Sequence, residues 1–90
     1  MLFMVIEKFA EGNLPRIGQR FHARGRMLPE GVSYQSSWME ESGRRCFQIM
    51  EAANRERLGE WIACWNDLVE FEIVPVMTST EFWKTPEDGL

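Results

Sequence analysis

Leu2-Phe3-Met4-Val5-Ile6-Glu7-Lys8-Phe9 decides the fold. It is dense in strand formers and apolar on both parities: Leu2, Met4 and Ile6 alternate with Phe3, Val5 and Phe9. A strand exposed on one face shows a single apolar parity. One with two is central in its sheet and covered on both sides.

The rest of the chain supplies the neighbours. Ala10-Glu11-Gly12-Asn13 is a break, with Asn13 placed to cap a helix over Leu14 to about Met27 and Pro15 in its first turn. Gly18, beside the apolar Ile17, is expected to let that helix approach the sheet closely. After the turn Leu28-Pro29-Glu30-Gly31, Val32 to Glu40 is a strand with Val32, Tyr34 and Trp38 on one parity. Glu41-Ser42-Gly43-Arg44 makes a hairpin turn into Arg45 to Glu51, where Phe47 and Ile49 oppose Cys46, Gln48 and Met50. Asn54 caps a second helix to about Leu68, whose stripe Leu58, Trp61, Ile62, Trp65, Leu68 follows helical spacing. Glu70 to Met77 is the last strand, and Pro75, which cannot donate to a ladder, means an edge strand or a position near the strand's end.

The order β-α-β-β-α-β predicts an α+β, ferredoxin-like sandwich: a four-stranded antiparallel sheet with two helices on one face. Two helices cover one face only, so the other would be an exposed apolar patch. The expected cover is a second copy of the same sheet about a two-fold axis, giving a homodimer. Residues 1–78 read as this domain. Residues 79–90 read as a C-terminal tail, with Phe82-Trp83 as the candidate anchor on its own or the neighbouring subunit and a mobile end expected.

Composition agrees. The chain has 90 residues, 44% hydrophobic and 27% charged, which is globular and too short for two domains. A net charge of −4 argues against a nucleic-acid partner. Two cysteines exclude a disulfide scaffold and fit a reducing cytoplasm. No apolar run is long enough for a membrane span, and the apolar N-terminus lacks the basic residues of a signal peptide.

The layout resembles the dimeric α/β-barrel superfamily. More closely, Met1-Leu2-Phe3-Met4-Val5-Ile6-Glu7, Gly25-Arg26-Met27-Leu28-Pro29-Glu30-Gly31, Arg45-Cys46-Phe47-Gln48-Ile49-Met50-Glu51 and Trp61-Ile62-Ala63-Cys64-Trp65 resemble a family of small bacterial domains of unassigned function. The resemblance implies the fold and dimerisation. It brings no catalytic residues, and the superfamily's range, from cofactor-free monooxygenases to lactone isomerases, shows that fold does not set function.

Candidate site residues are few. His22, the lone histidine, is of the residue type most used for acid–base work, and is otherwise a boundary residue. Cys46 and Cys64 read as small apolar residues. No ligand spacing suggests a metal, and no cofactor is expected. Tyr34, Trp38, Trp61, Trp65 and Phe21 form an aromatic group expected between sheet and helices. Gln48, mid-strand among apolar neighbours, needs a hydrogen-bond partner: Ser36 or Trp38 across the hairpin, its two-fold mate, or a ligand. Arg16, Arg20 and Arg24 line one face of the first helix, and with Arg26 give a segment free of acids four positive charges. They read as a solvated face or as a docking strip for acidic groups.

Two functions stay open. One is a cytoplasmic homodimer that binds a small, partly apolar metabolite between sheet and helices, with or without cofactor-free oxygenase or isomerase-type proton transfer. Its ligand residues would be Tyr34, Trp38, Gln48 and Trp65, with His22 as acid–base. It requires a cavity reaching solvent past His22. The other is a non-catalytic dimerisation or regulatory module with a filled interior, acting through its outer surface. No motif decides whether the protein is an enzyme.

Overall fold

The computed structural model describes residues 1–84; 85–90, where the end of the tail was expected to be mobile, lie outside the described residues. The elements are β1 (Leu2–Phe9), α1 (Leu14–Arg24), β2 (Val32–Met39), β3 (Arg45–Ala52), α2 (Arg55–Ile62), β4 (Val69–Val76) and a short α3 (Ser79–Phe82). The sheet is antiparallel in the order β2-β3-β1-β4. It is the ferredoxin-like β-α-β-β-α-β arrangement, with β1 central, as its two apolar parities predict, β3 beside it, and the Pro75 strand at an edge.

The core lies under α2. Phe3 and Val5 of β1, Met50 and Ala52 of β3, and Val32 of β2 pack against Leu58, Trp61 and Trp65. Phe71 meets Trp61 edge to face, with ring centroids 5.5 Å apart. α2 starts where expected, because the Asn54 side chain accepts from the Arg57 N–H. It ends at Ile62 rather than near Leu68. Trp65 and Leu68 remain buried, but in the turns that follow.

α1 behaves differently. None of its residues is fully buried, although Leu14, Ile17 and Phe21 share one side. It ends at Arg24, short of Met27, because Gly25 takes a φ of 66° and ψ of −154°, open only to glycine. Asn13 does not cap it by side chain; its amide donates instead to the Leu68 carbonyl, 3.2 Å away. Arg20 provides the other tether. Its two terminal nitrogens each donate to Asp67 at 2.7 Å, and one also reaches the Cys64 carbonyl at 3.0 Å. The Arg20 guanidinium holds the Asp67 carboxyl down to about 2. α1 is thus fastened along the flank facing α2, while its apolar flank overhangs the sheet.

One irregularity changes the side-chain phase of β2. Tyr34 pairs with Met50 and Ser36 with Ile49, so Gln35 is an extra residue, a β-bulge. Val32 and Tyr34 face the helices. Past the bulge Ser37 and Met39 take that face, and Ser36 and Trp38 turn to the other. The expected grouping of Trp38 with Trp61 and Trp65 is corrected here: Trp38 lies opposite Phe47 on the helix-free face and is 58% exposed.

That helix-free face is apolar through its middle. Leu2, Met4 and Ile6 of β1 lie beside Phe47 and Ile49 of β3, flanked by Trp38 and Val74. Charged pairs sit towards its ends, such as Lys8 with Glu72 at 3.7 Å. Beyond the sheet, Thr78 caps α3 through its hydroxyl, and Phe82 and Trp83 pack edge to face on each other, both exposed.

Candidate functional site

Between the overhanging flank of α1 and the sheet lies a cleft of about 300 Å³, at the small end of the range for small-molecule sites. Its roof is Leu14, Ile17, Gly18 and Phe21 of α1. A Cβ built on Gly18 would meet nothing within 4 Å, so the glycine borders open space and is not a point of close helix–sheet contact as expected. Trp61 and Trp65 form the inner wall, and Met39 the side towards β2. The rim residues Leu14, Phe21 and Met39 are all exposed.

The floor is polar in an otherwise apolar space. Glu7 of β1 and Cys46 and Gln48 of β3 point to the helix side, where both strands are covered. Glu7 and Gln48 are both buried, and the Gln48 amide donates to a Glu7 carboxylate oxygen. Burial pushes the Glu7 carboxyl above its ordinary value, while the Gln48 and Cys46 hydrogen bonds and the Arg26 charge partly oppose the shift. Burial, then the neighbouring Glu7, raises the Cys46 thiol to about 11, so it stays protonated at neutral pH.

Arg26 enters from the loop after α1. Gly25 and Met27, at φ 66° and 58°, bracket it in left-handed backbone. The reversal aims the Arg26 carbonyl at the inner wall, where the indole N–H groups of Trp61 and Trp65 donate to it at 3.0 and 3.1 Å. One carbonyl with two lone pairs thus satisfies both tryptophans. The Arg26 guanidinium lies over two rings, 3.6 Å from the Tyr34 centroid and 5.2 Å from that of Phe21. The Tyr34 hydroxyl is in turn hydrogen-bonded to Ser37 at 2.7 Å.

Of the residues singled out from sequence, Gln48 and Trp65 line the cleft. Tyr34 stands behind it and supports Arg26. Trp38 is on the opposite face. His22 is exposed on α1 and does not line the cleft, so the expected opening past His22 is not where the space lies. Gln48 finds its partner in Glu7, not in Ser36 or Trp38. Sequence reasoning missed Glu7 and Arg26. A signal for Glu7 was available: it shares the parity of Phe3, Val5 and Phe9, the side that the helices cover. Of the arginine stripe, Arg20 is committed to Asp67 of the same chain.

Among the described residues, no three His, Cys, Asp or Glu side chains gather as a metal site, and no helix is long and apolar enough to cross a membrane. Residues 1–89 match the family described as Domain of unknown function (DUF3303). No curated protein and no solved structure matches the chain.

Proposed function

This chain belongs to the DUF3303 family, and we propose that it binds a small, partly apolar molecule in the cleft between α1 and the sheet, working as a homodimer. The observation that carries the reading is that α1, with no fully buried residue, roofs an open cleft over a buried carboxyl. An amphipathic helix normally buries its apolar side in the core. Here that side borders space of small-molecule size, walled by aromatic rings.

If the bound molecule reacts, the group to move its proton is Glu7 and not His22. Burial raises the Glu7 carboxyl towards the range of a general acid or base, and Gln48 fixes its orientation. Cofactor-free, isomerase-type proton transfer is the matching reaction class. The apolar helix-free face supports pairing with a second copy, as in dimeric α/β barrels. The free Cys46 and Cys64 suit a reducing, cytoplasmic setting.

Gly18→Leu, which fills the cleft from its roof, tests the reading. Native mass spectrometry and calorimetry with 2-naphthol as probe are expected to show small-molecule binding by the wild type and none by the variant. Failure of the wild type to bind 2-naphthol or any of its carboxylate, amide or amine analogues, or equal binding by both proteins, overturns it.

A further inference from the structure

We propose that the cleft selects small aromatic or alicyclic monocarboxylates, with the ligand carboxylate on the Arg26 guanidinium and the ring against Trp61, Trp65 and Phe21. This rests on the reading of the cleft as a binding site and adds the charge of the ligand. The cleft has two ionisable groups of opposite sign, and their circumstances differ. Glu7 is buried and already accepts from Gln48, and its environment disfavours the anion. Arg26 supplies the guanidinium, the cation of the two. Among the described residues its guanidinium forms no ion pair. Its backbone carbonyl is occupied by the two indoles and its ring-stacked faces by Tyr34 and Phe21. The edge donors of a stacked guanidinium remain available, in the fork that suits a carboxylate. The neighbouring Cys46 thiol adds no charge, and the α1 residues of the roof are uncharged. The site therefore lies between neutral and positive, which favours an anion over a cation. The surrounding walls are rings and aliphatic chains, which favour a compact apolar body with a single charged group.

Calorimetric titration of the full chain with 2-naphthoate, 2-naphthamide and 2-naphthylmethylamine tests this. The carboxylate is expected to bind the wild type about tenfold more tightly than the amide, and the amine weakest. The preference is expected to vanish in Arg26→Gln and to persist in Arg26→Lys. Should Arg26→Gln fail to fold, the wild-type ratio and its reduction by added salt still decide. Amide binding as tight as carboxylate overturns the anion preference and leaves the binding cleft standing. Absence of binding by all three overturns both.

Discussion

The guanidinium carbon of Arg26 lies 3.6 Å from the centroid of the Tyr34 ring. A residue on β2 thereby holds the charge of a loop that follows α1, in the lining of the cleft. Tyr34→Phe keeps the ring and loses only the hydroxyl bond to Ser37, so it should cost about 1 kcal/mol or less in urea unfolding. Tyr34→Leu also removes the stack and should cost about 0.5–2 kcal/mol more. Equal losses would show that the stack contributes nothing to stability.

Glu7 links stability to pH with a definite sign. Burial raises its folded-state pKa, so the folded chain holds this proton to higher pH than the unfolded chain does. The contribution is complete below the unfolded carboxylate value and is lost as pH rises through the raised one. Glu7→Gln removes that dependence, so its stability relative to wild type should rise from acid to neutral pH. Urea unfolding across that range measures it, and a difference independent of pH counts against the buried carboxyl.

Gly18 is interior to α1 and borders open space. Gly18→Ala should therefore stabilise the protein by roughly 0.5–1 kcal/mol, since alanine loses less backbone freedom in a helix. Thermal unfolding reads this as a rise in Tm. A fall would mean that α1 sits closer to the sheet than the cleft allows.

Phe47 sits between Ile6 and Trp38 on the helix-free face. With the paired faces proposed above, Phe47→Glu buries a carboxylate at the centre of the interface and should leave a folded monomer at micromolar concentration in sedimentation. Wild type sedimenting as a folded monomer under the same conditions defeats the pairing.

Local patterns were legible because their physics is local. The two-parity run of β1, the glycine turn before β3, the Asn54 cap and the Pro75 edge each depend on a few consecutive residues, and the structure contains all four. The bulge at Gln35 was not legible. Ser-rich neighbours carry little apolar pattern, so nothing marked the change of phase that sends Trp38 outward. Nor was the end of α2, because Trp65 and Leu68 continue the helical spacing while being buried in turns.

The sequence by itself determined the order of the first six elements, though not the short α3 in the tail, together with the antiparallel sheet and the shortage of helices to cover it, since periodicity and turn chemistry are properties of neighbours along the chain. Only the tertiary structure decided the site. Glu7, Gln48 and Arg26 come from three separate elements, and their meeting depends on strand register and on a helix tethered along one flank only. Register and tethering arise from contacts between residues tens of positions apart, which no local pattern encodes.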